Sequence, residues 1–181
     1  MRYRRIKVAG ATYLFTLVTH ERQRLFSDVR HVDRWHDAVA KVQRKRPFQV
    51  DAEVILPDHL HILWTMADND ADYATRLRLI KTAFTKSLAL SSSAAATNPS
   101  RVRKGERDIW QRRYWEHIIR DERDFQVRLD YIHYNPVRHA LVKRAADWPH
   151  STFHAWVAKG AYDPWWGSDD MPPLPDWAQA E

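Results

Sequence analysis

The sequence predicts an α+β domain of ferredoxin-like order, β-α-β-β-α-β, extended by C-terminal helices. Three observations carry this: four segments rich in β-branched and aromatic residues, two apolar stripes at helical spacing between them, and turn signals at the joints. Thr12 to His20 follows a glycine and is rich in Tyr, Leu, Phe, Val and Thr, as a strand requires. Ser27 and Asp28 offer an N-cap to a helix on which Val32, Trp35, Val39 and Val42 share one face, and Pro47 stops it. Val50, Ala52, Val54 and Leu56 alternate with Asp51 and Glu53, which predicts a half-buried strand with the acidic residues outward. Pro57-Asp58 then turns the chain into a second strand, His59 to Met66. Tyr73, Leu77, Ile80, Phe84 and Leu88 mark the next helix. The run SSSAAATNPS with RVRKGER behind it predicts a flexible basic loop. A fourth strand is expected from Tyr114 to Ile119, and Asp121 caps a helix to about Tyr134. Two short helices are expected after Pro136 and Ser151, with an irregular tail from Asp163.

At 181 residues the chain suits one domain, taken as 1–160 with the basic linker at about 91–107, plus an irregular tail, 161–181. Twenty-nine Lys and Arg against 23 Asp and Glu give a formal charge of +6, which favours an anionic partner. The basic residues gather at Arg2, Arg4 and Arg5, at Arg44 to Arg46, at Arg101, Arg103 and Lys104, and at Arg112 and Arg113; each group is equally compatible with solvated surface. The absence of cysteine excludes disulfides, thiolate nucleophiles and thiolate zinc sites. No stretch approaches the roughly 18 apolar residues of a membrane span, so a soluble, cytoplasmic protein is expected. Nine tryptophans exceed what one small core needs, leaving some for interfaces or for stacking on bases.

Alternation along HLHILWTM sends Leu60, Ile62, Trp64 and Met66 to one face and His59 and His61 to the other. The apolar set must face the helices, so both imidazoles are expected on the open face, able to share a metal ion or simply to hydrogen-bond on a polar surface. On the helix DFQVRLDYIHYN, Phe125, Leu129 and Ile132 form a buried stripe. Asp124, Arg128, Tyr131 and Asn135 form a second, with Tyr131 and Asn135 one turn apart. This helix follows the fourth strand, and its vacant place is across the open face. A phenol, two imidazoles and a carboxamide then converge, a set suited to metal-assisted phosphoryl transfer through a covalent tyrosine. Taken singly, Tyr131 is equally a packing residue, and Asn135 before Pro136 equally an N-cap for a following helix.

The segments LPDHLHILW, WQRRYWEHIIRDERDF and DYIHYNPVRHALV, with YRRIKVAGATYLFT before and DWPHSTFHAW after, resemble the REP-associated tyrosine transposases, a branch of the IS200-like HUH single-tyrosine transposases. The resemblance runs from about Tyr3 to Trp156. It implies that His59 and His61 are metal ligands, that Tyr131 is the nucleophile forming a 5′-phosphotyrosine, and that Asn135 is a third ligand. The implied cofactor is Mg²⁺ or Mn²⁺, with zinc chemically able to bind. The implied partner is single-stranded or hairpin DNA from repetitive extragenic palindromes, contacted by Arg4, Arg5, Arg101, Arg103, Lys104, Arg112 and Arg113. A monomer is implied for this branch. Glu116 and His117 are candidates for supporting the metal site or for ordinary strand residues. Two rival readings stay open: a non-catalytic hairpin-binding module with a vestigial site, and a metal-dependent hydrolase that uses water.

Overall fold

The structure, a computed structural model, describes residues 7–88 and 99–168. Four strands, β1 (Thr12–Val18), β2 (Phe48–Ile55), β3 (His59–Met66) and β4 (Trp115–Ile118), form an antiparallel sheet in the order β2-β3-β1-β4. Two long helices, α1 (Val29–Gln43) and α2 (Tyr73–Ser87), cover one face. A one-turn helix, α3 (Pro99–Arg103), precedes β4; α4 (Glu122–Arg138) lies on the other face, and α5 (Phe153–Ala158) follows. The ferredoxin-like order is thus present, with the added helix filling the open side. Arg4, Arg5, most of the small-residue linker and the tail beyond Ser168 lie outside the described residues.

Two hydrophobic layers hold this sandwich. Tyr13, Phe15 and Leu17 of β1 with Leu60, Ile62, Trp64 and Met66 of β3 pack against Trp35, Val39, Leu77, Ile80 and Phe84. On the reverse side Leu14, Ala52, Val54 and Leu63 meet Leu129, Ile132 and Phe153. The caps behave as sequence predicts: Asp28 accepts from Arg30 N at 2.9 Å, and Asp121 accepts from Asp124 N at 2.8 Å.

Two sequence expectations fail, each for a local reason. In β2 a register shift between Val50 and Ala52 breaks the alternation. Glu53 is consequently buried under α1, accepting from Trp35 Nε1 at 2.8 Å and bonded to His36 Nε2 at 2.9 Å. The helix expected to end at Tyr134 instead runs through Pro136 to Arg138, so Asn135 is not an N-cap and no separate helix starts at Pro136. Proline costs one backbone hydrogen bond in this last turn, and the burial of the apolar Pro136 ring and the capping bonds beyond it offset that cost. The helix closes with Ala140 in the left-handed region (φ 53°), Ala140 N donating to Val137 O and Leu141 N to Pro136 O.

The outer edge of β2 is covered rather than open. Residues His150 to Thr152 bridge to it, and Trp148 Nε1 and Trp156 Nε1 donate to the carbonyls of Ile55 and Asp51 at 3.0 and 2.9 Å. Beyond α5, Tyr162 and Trp166 pack on Phe153 with ring centroids at 5.4 and 5.8 Å, so the described start of the tail is irregular but anchored.

Two charged side chains fix the ends of the helices. Arg76 is 1% exposed and donates to Asp70 Oδ2 at 2.7 Å and to the carbonyls of Arg46, Pro47 and Asp72. Asp124 joins α4 to β4: it bonds His117 Nε2 at 2.7 Å and accepts from Arg128 Nε and Arg120 N, both at 3.1 Å. Burial pushes its carboxyl up, but the bonds from His117, Arg120 and Arg128 outweigh this and bring it from 3.8 to about 2.

Replacing Arg76 by Leu strands several buried acceptors and should lower stability by about 3 kcal/mol, measured by denaturant unfolding. A carboxyl held below its unfolded value stabilises the fold above that value, and the contribution disappears as pH falls from about 4 to about 2. Asp124→Asn should therefore flatten the acid limb of the stability profile in that window, with little further loss on acidification.

Candidate active site on the sheet face under the tyrosine helix

Side-chain alternation puts His59 and His61 on the face that α4 covers, because their neighbours Leu60 and Ile62 are committed to the α1/α2 layer. The two imidazoles stand edge to face with centroids 5.1 Å apart. His61 is fully buried and His59 4% exposed. Each ring is fixed through Nδ1: His61 to Thr16 Oγ1 at 3.0 Å from the paired position on β1, His59 to Asp58 Oδ1 at 2.7 Å from the hairpin turn. With both Nδ1 atoms engaged, Nε2 is the atom each ring offers toward α4.

The helix supplies the rest. Tyr131 is 1% exposed, its ring centroid 5.1 Å from that of His61 at a steep interplanar angle of 72°. Asn135, one turn on, is fully buried. Its amide oxygen has no hydrogen bond of good geometry among the described residues, although the amide lies close enough to His61 to favour the protonated ring. That minor effect loses: burial first, then the nearby His59, His139 and Arg138, hold His61 well below its ordinary value. A neutral imidazole is the state a metal ligand needs.

The four residues singled out for chemistry, His59, His61, Tyr131 and Asn135, are therefore brought together. The donor set fits a divalent cation by its chemistry: two oriented imidazole nitrogens and a buried amide oxygen. Among the described residues no group of three or more His, Asp or Glu could hold a metal without the amide.

Sequence reasoning missed the residues around them. Thr16 could be found only from strand register. Asp58 stands in LPDHLH, where sequence alone marks it only as a turn residue; burial raises its carboxyl, and the bonds from His59 and Arg22 bring it below the ordinary range. Arg138 and His139 were hidden by the expectation that the helix stops before Pro136. Arg138 reaches Tyr131 Oη at 3.5 Å and its guanidinium lies 5.8 Å from the ring centroid, while the His139 and His59 centroids are 5.1 Å apart. A cleft of about 290 Å³ opens beside His59, lined by Arg22, Arg24, Asp58, His139 and Leu141. Arg22 and its neighbour Glu21 both sit in the left-handed region (φ 51°), with Arg22 Nη1 on Asp58 Oδ2 at 3.1 Å.

The candidate nucleic-acid contacts divide. Arg101 is 9% exposed, paired with Asp108 at 3.1 Å and donating to the carbonyls of Arg107 and Trp110, so its guanidinium is a structural tie of the loop and is turned away from solvent. Arg103, Lys104, Arg112 and Arg113 are exposed, Arg112 with an ion pair to Glu106 at 2.8 Å. The bridge between Thr19 and Trp110 holds this segment at the end of the sheet where Asp58 and His59 stand, since Thr19 N donates to Asp58 O. Glu116 pairs with Phe15 and so lies on the α1/α2 face, away from the histidines. His117 is on their face, turned to Asp124. Among the described residues no helix is long and apolar enough to cross a membrane.

Comparison with known proteins places the chain in a family. Residues 7–135 match the family model described as "Transposase IS200 like". A REP-associated tyrosine transposase of Escherichia coli K12 is 39% identical over 167 residues, 92% of this chain and 91% of that one. A relative from Haemophilus influenzae, provisionally given the same name, is 39% identical over 170 residues, 93% of this chain and 95% of that one. The solved structure of a REP-associated tyrosine transposase bound to a REP hairpin superposes with a TM-score of 0.77 at 37% identity, covering 96% of this chain and 94% of that one. On its tyrosine-bearing helix over the sheet face and on these matches across nearly its whole length, the chain belongs to the IS200-like transposase family, in its REP-associated tyrosine transposase branch.

Proposed function

We propose that this protein is a metal-dependent single-stranded DNA endonuclease and strand transferase acting on repetitive extragenic palindromic hairpins. The observation that carries the reading is the placement of the Tyr131 ring 5.1 Å from that of His61, with Asn135 one turn further on the same buried face of α4. The relative whose solved structure is bound to a REP hairpin supports the substrate.

In this reading Tyr131 Oη attacks the scissile phosphorus. The new Tyr–O–P bond replaces the bond to the 3′-oxygen, which leaves as a hydroxyl while the phenolic proton is released. One phosphodiester is exchanged for another, so attack by a 3′-hydroxyl on the phosphotyrosine rejoins the strand without external energy. His59, His61 and Asn135 would hold Mg²⁺ or Mn²⁺, which when bound withdraws charge from a non-bridging phosphate oxygen. Thr16 and Asp58 orient the imidazoles. Arg138, reaching the Tyr131 hydroxyl, places positive charge where negative charge gathers on the attacking and leaving oxygens. Arg22, Arg24 and His139 line the route by which a phosphate reaches the buried phenol. Arg103, Lys104, Arg112 and Arg113 supply sequence-independent phosphate contacts, with Arg4 and Arg5 assigned the same role from sequence. Because α4 covers the sheet of its own chain, tyrosine and histidines come from one molecule, which supports a monomer.

Tyr131→Phe should abolish both cleavage and the covalent protein–DNA adduct in Mg²⁺ or Mn²⁺ while hairpin binding persists, read by denaturing gel and by mobility shift. Cleavage surviving in that variant would favour water as nucleophile; a wild type that binds hairpins yet never forms an adduct would favour a binding module. Asp58→Asn should weaken Mn²⁺ affinity by roughly 10- to 100-fold, followed by titration calorimetry, because His59 loses the carboxylate that fixes its ring.

A further inference from the structure

Of the tryptophans among the described residues, most are spent on packing or on hydrogen bonds to the edge of β2. Trp115, at the start of edge strand β4, is different: it is 47% exposed although it stands on the face of the sheet that carries the candidate active site. Its position is fixed by register. Thr16 pairs with Trp115 on one side and with His61 on the other, and cross-strand partners share a face. His61, Thr16 and Trp115 therefore form one row across β3, β1 and β4, which puts the Trp115 Cα roughly 10 Å from that of His61.

The ring is also held in place. The His117 imidazole lies parallel to it, with an interplanar angle of 4° and centroids 5.8 Å apart, and is fixed by its bond to Asp124. The guanidinium of Arg128, tied to the same carboxylate, is 5.8 Å from the indole centroid. Exposed Arg112 and Arg113 precede the strand and exposed Arg120 follows it. An exposed aromatic alone is ordinary surface. An indole braced by a parallel ring and flanked by cations, in line with a candidate phosphoryl-transfer site, has the parts of a base-stacking subsite: a fixed π-face for the base and positive charge for the phosphates on either side.

We infer that Trp115 is a stacking platform for an unpaired base of the single-stranded DNA, a short step along the strand from the scissile phosphate. The identity of that strand as the flank of a hairpin rests on the function proposed above; the stacking itself does not. Bracing by His117 and Arg128 means that little side-chain freedom is lost when a base docks.

Two probes separate the possibilities. With oligothymidylate, a sequence-neutral strand, Trp115→Ala should weaken binding by about ten- to a hundredfold while Trp115→Phe stays near wild type, because a smaller aromatic face still stacks. Circular dichroism and thermal unfolding check that both variants fold. With repeat hairpins from the host chromosome, the Ala variant should lose affinity for a hairpin bearing its unpaired flank and not for the same hairpin trimmed blunt. An abasic site at one flank position should cost the wild type about as much as Trp115→Ala does, with the two losses far from additive when combined. A folded Trp115→Ala variant with unchanged affinity for oligothymidylate, or one that weakens flanked and blunt hairpins equally, overturns the inference. If oligothymidylate binding depends on Trp115 but no tyrosine adduct ever forms, the stacking platform stands and the proposed reaction falls.

Discussion

The structure depends on one docking event: α4 lying across a sheet face that the chain's own α1 and α2 leave uncovered. Leu129 and Ile132 bury against Leu14, Ala52, Val54 and Leu63, and the carboxylate of Asp124 ties the start of the helix to His117 on β4. The hydrophobic contact supplies the driving force, since apolar area removed from water scales with stabilisation. The hydrogen bond fixes rotation and register. A turn of the helix about its axis by one residue would carry Tyr131 away from His61, so the same contacts that stabilise the domain set the geometry of its chemistry.

Charge is arranged in layers around this contact. At the centre His61 is buried and neutral, with Asn135 beside it. Around it are groups that fix orientation, Thr16 and Asp58, and a cation that reaches the phenol, Arg138. Further out the exposed arginines and lysine stand at the same end of the sheet, held there by the Arg101–Asp108 pair and the Thr19–Trp110 bridge. Arg101 illustrates why a basic cluster read from sequence is ambiguous: of three neighbouring cations, one is a buried strut and two face water.

The low exposure of Tyr131 and His61 has a consequence for access. The cleft nearest them opens beside His59, with Arg22 on its rim, while Ala140, next to the rim residue His139, ends the helix. Arg22 and Ala140 both hold backbone angles uncommon for residues with a Cβ. Backbone held in such regions costs energy and persists where the surroundings over-determine it. In the Ala140 case the surroundings are the two capping hydrogen bonds that end α4.

Sequence alone determined the element order and the assignment of faces. Leu60, Ile62, Trp64 and Met66 had to be buried together, and period-2 alternation then left His59 and His61 no choice of side. The apolar spacing of α1 and α2, the caps at Asp28 and Asp121, and the two-residue turn at Pro57-Asp58 were equally local and equally legible. Tertiary structure decided what local rules cannot reach. The bulge in β2 turned Glu53 inward because Trp35 and His36 offered it partners from another element. The helix ran on through Pro136 because burial of the Pro136 ring and the capping bonds beyond it offset one missing hydrogen bond, and this brought Arg138 and His139 beside the candidate site. Thr16 became a partner of His61 only through strand register, a property of two segments 45 residues apart.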